Sequence, residues 1–451
     1  MNRPAAAAGL GLALALAGAA PAPVAARVPA PARIAVVPVD IGTRETLLDV
    51  AFPDAGHGFA VGENGAILAS TDGGQTWARQ RSGVEVSAEE VASRVAGQRA
   101  ARQPVNLFGV WFIDAHQGWA VGTDTILTTS DGGQVWSALA PPRIDSIAGD
   151  GPGRLGQPQR AITWDFRAVR FSDSQRGVVV GGGGAVLVTA DGGRTWAWHG
   201  DRRFGSLDDV SFADPANGQA VGEAGGGGSL PSVSIATADA GSTWELREAT
   251  GVGPEVSAIG FAAVATPGPT RTYVAGGAGR IFVTVDGGRR WSVQRRDTTE
   301  RFQGIAFAGP DRGVAVGLTD FSGAARASLV ATDDGGETWA SRLVTGEILW
   351  DVAFASSDTA YAVGCGERVP AGEAVSVVQA DDGLVAQVQP CRQSILLRIS
   401  FADAGGSDGG GGGGVPWLLI AAGIGVGVVA LGLVVVRKPA GGRVQIGRAH
   451  V

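Results

Sequence analysis

Short apolar runs alternate with polar, glycine-rich turns along most of this chain, and the alternation repeats as a unit. In the first unit, Leu47–Phe52 ends in an aromatic residue, Phe59–Gly62 ends at glycine, and Ala66–Ala69 precedes a polar turn. The runs are short and rich in β-branched residues, which is typical of strands. Internal repeats of about 40–50 residues indicate a propeller or a solenoid rather than a single globular core.

The polar turn recurs seven times with the pattern Thr-x-Asp-Gly-Gly-x-Thr-Trp; the last copy, around Asp381, has lost its threonine and its tryptophan. The aspartate of an Asx-type turn accepts backbone N–H groups, and the glycines supply positive φ angles. The tryptophan is large enough to fill the wedge between neighbouring sheets. We therefore predict structural roles for Asp72, Trp77, Asp131, Trp136, Asp191, Trp196, Asp239, Trp244, Asp286, Trp291, Asp334, Trp339 and Asp381.

A fourth strand follows each turn, so seven units of four strands predict an all-β, seven-bladed β-propeller over residues 27–404. Two strand-like runs remain outside the units, Ile34–Val37 before the first and Ile395–Phe401 after the last. We expect one or both of them to complete a blade from the two chain ends. The sequence alone does not decide between the two.

Both ends of the chain carry membrane-targeting patterns. Residues 1–26 have the charged, apolar and small-residue order of a secretory signal peptide, without the cysteine of a lipoprotein signal. Residues 405–414 form a glycine-rich linker, and the uncharged residues 415–436 are numerous enough for a transmembrane helix. The short basic tail 437–451 is expected in the cytoplasm. We predict a single-pass protein of the bacterial cytoplasmic membrane with its propeller on the periplasmic side.

Composition narrows the function classes. The net charge is −7 and only 18% of residues are charged, so no nucleic-acid partner is predicted. Histidine is scarce, with four residues, and we predict no metal and no cofactor. Gly423 and Gly427 lie four residues apart in the membrane stretch, which would allow self-association through that helix.

Two sets of residues are candidates for specific roles. Cys365 and Cys391 are the only cysteines and fall in the seventh unit, where an exported protein can join them in a disulfide. A cluster of arginines could form a basic face for an acidic partner, and the alternative is a scatter of solvated side chains. This predicted basic patch consists of Arg154, Arg160, Arg167, Arg170, Arg202 and Arg203.

The turn motif matches the Asp-box, or BNR repeat, of sialidases and related propellers, which raises glycoside hydrolysis as a function. A sialidase-like site needs a tyrosine nucleophile. The only tyrosines, Tyr273 and Tyr361, fall at the repeat position of Phe59 and Trp119, so we predict structural roles for both. The repeated aspartates are needed by the turns, and no catalytic residue is predicted. The 43 acidic residues still leave a catalytic carboxylate pair open.

The order Phe-x-Asp, Gly-x-Ala-Val-Gly and Thr-x-Asp-Gly-Gly-x-Thr-Trp resembles the photosystem II stability and assembly factor family over about residues 45–401. The resemblance implies a seven-bladed, non-enzymatic propeller that binds a newly made membrane protein and assists its assembly. The C-terminal membrane stretch departs from the photosynthetic members and suggests a membrane-anchored bacterial relative.

We therefore expect an exported scaffold whose client is a protein in or at the membrane. The alternative is a carbohydrate-binding or glycoside-hydrolysing propeller of the sialidase type. Such an enzyme would place a carboxylate pair, roughly 5–10 Å apart, in its central funnel. A third reading is a propeller that associates only with itself.

Overall fold

The computed structural model describes residues 34–84, 105–139, 165–223, 232–247, 260–297, 299–319, 326–344, 346–368, 376–379, 385–388 and 391–401. Seven four-stranded antiparallel sheets form the blades of a β-propeller, so the predicted fold class is confirmed. No helix within these ranges is long and apolar enough to cross a membrane. The predicted signal peptide, linker, membrane stretch and tail lie outside the described residues.

Strand β1 (Ile34–Val39) precedes six blades, each of which runs from its innermost to its outermost strand. Blades 1 to 3 comprise β2 (Leu47–Ala51), β3 (Gly58–Gly62), β4 (Ile67–Ser70), β5 (Ala78–Gln80), β6 (Leu107–Phe112), β7 (Gly118–Gly122), β8 (Thr125–Thr129), β9 (Ser137–Leu139), β10 (Phe166–Phe171), β11 (Gly177–Gly181), β12 (Ala185–Thr189) and β13 (Ala197–Trp198). Blades 4 to 6 comprise β14 (Ser206–Phe212), β15 (Gly218–Glu223), β16 (Ser232–Thr237), β17 (Glu245–Arg247), β18 (Phe261–Gly268), β19 (Arg271–Gly276), β20 (Ile281–Thr284), β21 (Ser292–Arg295), β22 (Glu300–Phe307), β23 (Gly313–Thr319), β24 (Arg326–Thr332) and β25 (Ala340–Leu343). Short 3₁₀ turns occur at Glu63–Gly65, Gly182–Gly184 and Arg202–Phe204.

Blade 7 closes the ring with both ends of the propeller segment. Its inner strands, β26 (Ile348–Phe354) and β27 (Thr359–Arg368), are followed in the sheet by β30 (Cys391–Phe401) and then by β1. Strand β1 pairs with β30 in antiparallel register from Ile34 opposite Phe401 onward. Both of the runs that lay outside the repeats therefore complete this blade.

The seventh copy of the turn motif does not supply strands to blade 7. Its flanking strands, β28 (Ser376–Gln379) and β29 (Val385–Val388), pair with each other in a separate hairpin, and Asp381 between them lies outside the described residues. The expectation that this copy builds the outer half of a blade is wrong, because β30 and β1 take those places. The worn motif marks an insertion between β27 and β30.

The two cysteines lie on neighbouring strands of blade 7. Cys365 on β27 is buried and takes part in a disulfide bond. Cys391 begins β30, where the register sets its backbone opposite Arg368. The side chain of Cys391 is outside the described residues, so the predicted Cys365–Cys391 pairing stays a prediction.

The core is divided among the junctions between adjacent blades. Every residue of the second strands β3, β7 and β11 is buried, because each of these strands is covered by a neighbouring blade on both faces. Separate clusters of buried apolar residues occupy the junctions, as between blades 1 and 2 and between blades 2 and 3. The stability of the propeller therefore depends on the apolar side chains that adjacent blades bury against each other.

The turn motif forms the hydrogen bonds that its sequence predicts, as blade 3 shows. The Asp191 carboxylate accepts the Thr195 N–H at 2.9 Å and the Thr195 hydroxyl at 2.6 Å. The Thr189 hydroxyl donates to Asp191 and accepts the N–H of Gly193, whose φ is +82°. These bonds, led by the Thr195 hydroxyl, lower the pKa of Asp191 to about 2. The aspartate acts as a fixed anion at the centre of the turn.

Aromatic rings connect each of several blades to the next in a recurring arrangement, which we call a ring set. It combines an aromatic residue of one second strand with the phenylalanine and the turn tryptophan of the following blade. Between blades 2 and 3, Trp119 stacks on Phe171 at 3.5 Å, and Phe171 meets Trp196 edge-on at 84°. Trp119 Nε1 also donates to the Gly192 carbonyl in the turn of blade 3. Trp196 thus packs at the junction between blades 2 and 3, as predicted for a wedge.

The two tyrosines occupy the second-strand place in two further ring sets. Tyr273 stacks on Phe307 at 4.1 Å, and Tyr361 stacks on Phe52 at 4.9 Å. Their hydroxyls donate to turn carbonyls of the following blade, from Tyr273 to Gly335 O at 2.8 Å and from Tyr361 to Gly73 O at 2.6 Å. Both rings are fully buried, and their pKa values are raised by burial. The structural role predicted for them is borne out.

Replacing Trp196 with Ala should lower the free energy of unfolding by about 3–5 kcal/mol, because a large buried ring leaves a cavity at the junction. The side chain is 9% exposed. Urea unfolding of the full chain, followed by circular dichroism, measures the change.

The matched control is Val135→Ala in the turn motif of blade 2, where the side chain is 62% exposed. It should change stability by no more than about 0.5 kcal/mol. Equal effects of the two substitutions would contradict the wedge assignment.

Candidate functional site

A central cavity of about 490 Å³ lies where the seven innermost strands converge. Blades 1, 2, 6 and 7 line it mostly with apolar side chains, such as Val110, Phe112 and Ile305. Blades 3 to 5 supply most of the polar side chains, so the cavity has one apolar wall and one polar wall. The residues of the polar wall are Arg170, Ser172, Asp209, Ser211, Asp214 and Thr266.

A β-bulge near the start of every innermost strand shapes the inner rim. The register shifts across one residue in all seven blades, as between Leu47 and Asp49 in blade 1. A bulge re-aims the side chain beside it. The residue after this shift is aspartate in blades 1, 4 and 7 and glycine or alanine in the others: Asp49, Gly109, Ala168, Asp209, Ala263, Gly304 and Asp351.

The three aspartates bind the backbone of the next blade. Asp49 accepts the Val110 N–H at 2.6 Å, and Asp209 accepts the Val264 N–H at 2.8 Å. Asp351 accepts the Val50 N–H at 3.3 Å across the closing junction between blades 7 and 1. Each carboxylate therefore holds two blades together at the inner rim.

The carboxyl groups of Asp49 and Asp351 lie side by side at the closing junction, within hydrogen-bonding reach of each other. Burial raises the pKa of Asp351 well above its ordinary value, and the neighbouring charge of Asp49 raises it further. Two carboxyl groups this close repel each other when both are ionised, so the neighbouring charge favours the protonated form of Asp351. The closing junction of the ring thus brings a buried, readily protonated carboxyl group of the last blade against the first blade.

Asp209, the aspartate of blade 4, faces an arginine in the polar wall. Arg170 lies 3.6 Å from Asp209 and 4.9 Å above the Trp111 ring, a cation–π contact. Burial raises the pKa of Asp209 to about 6, although Arg170 and two backbone N–H groups favour the ionised form. The charge of Arg170 is thus largely balanced within the cavity.

Three arginines of the predicted basic patch form ion pairs with carboxylates. Arg154 and Arg160 lie outside the described residues. Arg167 forms an ion pair with Asp208, and burial raises the pKa of that aspartate to about 6.

The remaining arginines of the patch differ in location. Arg170 lines the cavity, whereas Arg202 and Arg203 lie in the 3₁₀ turn before β14, where Arg203 pairs with Asp201 at 2.6 Å. The structure therefore separates Arg170 from the turn arginines and gives Arg167, Arg170 and Arg203 carboxylate partners.

Sequence reasoning did not single out Asp49, Asp209 and Asp351. Alignment of the innermost strands would have placed them at one repeat position, which holds only aspartate, glycine or alanine. No cluster of histidine, cysteine or carboxylate side chains suited to a metal occurs among the residues that the structure describes. The inner rim uses its acidic groups to join blades.

Replacing Asp351 with Asn should make the protein's stability less dependent on pH. The amide keeps an acceptor for the Val50 N–H and a donor toward Asp49, but it cannot ionise. In the wild type, the raised pKa of Asp351 means that stability falls as pH rises from about 4 through that pKa, because the unfolded chain ionises first. The melting temperature of the variant should therefore rise relative to wild type between about pH 4 and pH 7.

Asp191→Asn is the control, because its effect on the pH dependence of stability should have the opposite sign. Because the pKa of Asp191 is lowered to about 2, its contribution is present above about pH 4 and is lost as pH falls toward 2. Melting curves of both variants at several pH values make the comparison. A constant difference between Asp351→Asn and wild type across this range would contradict the raised pKa of Asp351.

The chain is similar to a family of known proteins. The family model described as photosynthesis system II assembly factor YCF48 matches residues 29–100. The photosystem II assembly protein Ycf48 of Thermosynechococcus vestitus is 26% identical over 317 residues, which cover 62% of this chain and 81% of that protein. The photosystem II assembly lipoprotein Ycf48 of a Synechococcus strain is 31% identical over 159 residues, covering 35% of this chain and 38% of that protein.

Solved structures show the same fold. A structure of YCF48 bound to a D1 peptide covers 83% of this chain and 97% of its own, with a TM-score of 0.52 and 20% identity. YCF48 from Cyanidioschyzon merolae covers 81% and 99%, with a TM-score of 0.53 and 18% identity. A GH74 xyloglucanase from Xanthomonas campestris covers 74% and 53%, with a TM-score of 0.51 and 14% identity.

At these identities the structural likeness concerns the fold alone, and the sequence matches carry the relation to a family. Together, the family model and the curated relatives confirm that this chain resembles the photosystem II assembly factors of the Ycf48 type.

Proposed function

We propose that this chain is an exported, non-enzymatic propeller that binds part of a membrane protein or complex and assists its assembly or stability. The resemblance to Ycf48 assembly proteins supports this function. A YCF48 structure with a D1 peptide supports a polypeptide as the ligand class. The client here would be a protein in or at the membrane.

The observation that carries the proposal is the state of the acidic groups at the bulged position of the innermost strands. Asp49, Asp209 and Asp351 each accept a backbone N–H of the neighbouring blade. These groups hold the scaffold together, and a group that fixes two blades is poorly placed to protonate or attack a substrate.

Glycoside hydrolysis is the second candidate, since a GH74 enzyme shares the fold. A glycosidase needs two carboxyl groups roughly 5–10 Å apart, with the scissile bond between them. Asp49 and Asp351 instead lie side by side, and each accepts a backbone N–H of the next blade. Tyr273 and Tyr361 are buried and donate to backbone carbonyls, which leaves neither as a sialidase-like nucleophile. These contacts favour the binding scaffold.

Membrane attachment is part of the proposal. Several of the relatives are named lipoproteins, which supports a membrane-associated propeller. In this chain residues 1–26 would direct export, and residues 415–436 would anchor the propeller on the periplasmic side. Gly423 and Gly427 would permit contact between two such helices.

Crosslinking in the native host tests the client. The full chain, tagged at its C-terminus, is crosslinked in intact cells and purified, and the captured proteins are quantified by mass spectrometry. We expect enrichment of one membrane protein or complex, and a lower abundance of that protein when the chain is deleted from the host.

The control lacks residues 27–404 and keeps the signal peptide and membrane stretch. Equal capture by this control would show that the helix, not the propeller, makes the contact and would refute the scaffold function. Asp351→Asn should capture the client as well as wild type does. Release of sugars from host glycans by the wild type, abolished in Asp351→Asn, would establish the hydrolase instead.

A further inference from the structure

In the part of the chain that the structure describes, the junction between blades 4 and 5 is one of three that lack a ring set. The other two, between blades 3 and 4 and between blades 6 and 7, have valine at the second-strand place. Gln219 occupies the second-strand place that holds Trp119 between blades 2 and 3. Thr266 stands where the innermost strand of the following blade would end in phenylalanine. The turn tryptophan, Trp291, packs at a tilt of 46° against Phe261, which lies at the start of that innermost strand and not at its end. No stacked ring passes from blade 4 to blade 5 among the described residues.

The buried apolar cluster at this junction is also the smallest of the seven interblade clusters in the described residues. It holds six buried residues, whereas the clusters at the other junctions hold nine to twelve. Only Val221 in this cluster comes from blade 4; the other five come from blade 5. Blade 4 therefore contributes little apolar surface to its contact with blade 5.

Polar atoms at the same junction are buried without a protein partner. Gln219 is 3% exposed and Ser234 is 1% exposed. Both amide heteroatoms of Gln219 and the hydroxyl of Ser234 have no hydrogen-bond partner. An unpaired buried polar group destabilises the closed state, because opening would return it to water.

Two hydrogen-bonding contacts join the two blades at the inner rim. The Val264 N–H donates to Asp209 at 2.8 Å, and the Ser211 and Thr266 hydroxyls are 2.6 Å apart. Asp209, Ser211 and Thr266 also belong to the polar wall of the central cavity. The weakly packed junction and the polar wall are thus continuous.

We propose that the propeller opens first between blades 4 and 5, by a reversible parting that widens the central cavity at its polar wall. Small apolar burial and unpaired Gln219 and Ser234 lower the cost of opening there relative to the junctions that carry ring sets. Regions that open locally are those with little buried apolar contact. The opening is a property of the chain alone and does not depend on the identity of a client.

Thiol labelling compares two equivalent buried positions. Val221→Cys and Val121→Cys replace fully buried valines at the same place in β15 and β7, facing junctions 4/5 and 2/3 respectively. Each full-length variant is treated with a thiol reagent under native conditions, and labelling of its own peptide is followed by mass spectrometry. We expect Val221→Cys to be labelled at least about tenfold faster than Val121→Cys.

A second substitution tests the cause. Gln219→Leu, introduced into the Val221→Cys chain, removes the unpaired amide while keeping a side chain of similar size, and it should slow labelling several-fold. Equal labelling of the two cysteine variants, or a rate that Gln219→Leu leaves unchanged, would overturn the proposal.

Hydrogen exchange on the unmodified chain covers the case of a variant that fails to fold. Amides of β15 and β18 should then exchange faster than those of β7 and β10. The reverse order would equally overturn the proposal.

Discussion

The contact on which this propeller depends joins the second strand of one blade to the turn of the next. An aromatic side chain lies on the phenylalanine of the following blade, and that phenylalanine meets a turn tryptophan edge-on. Where the aromatic carries a polar atom, as in Trp119, Tyr273 and Tyr361, that atom donates to a turn carbonyl of the neighbour. The Asp-centred turn has to be rigid because it presents both the carbonyl and the wedge.

The inner rim also joins neighbouring blades, but by hydrogen bonds and not by stacked rings. Space near the axis is too narrow for rings, so the bulged position holds glycine, alanine or aspartate. A Cβ added at Gly109 would lie 2.7 Å from the Arg167 carbonyl oxygen, and one at Gly304 would lie 2.8 Å from Asp351 Cα. Where this position holds aspartate, the carboxylate accepts a hydrogen bond from the backbone of the next blade. The aspartates of the inner rim are in this sense a consequence of closing seven strands around one axis.

The sequence predicts the repeated parts of this structure well and the exceptions poorly. The motif around Asp191 encodes its own turn through local hydrogen bonds, so blade count and wedge positions could be predicted without a structure. The place of the seventh motif copy could not, because the place of a strand in blade 7 depends on which segment pairs with β27. The carboxylate partners of Arg167 and Arg170 could not be predicted either, because Asp208 and Asp209 lie on the neighbouring innermost strand. The pairing of Asp49 with Asp351 joins the first and last blades, and no local pattern carries that information.

Closure of blade 7 by β1 and β30 has a consequence for how the chain folds. Ile34 pairs with Phe401, so the first described strand can find its partner only after almost the entire propeller segment has been made. Contacts between residues this distant in sequence carry a large loop-closure entropy and slow the folding of a domain. Six blades can form in order as the chain emerges, while the first strand stays unpaired until the last one arrives. The ring is therefore assembled as an open arc, and its slow final step is the pairing of β1 with β30. Until then the edge of β1 is exposed and unpaired.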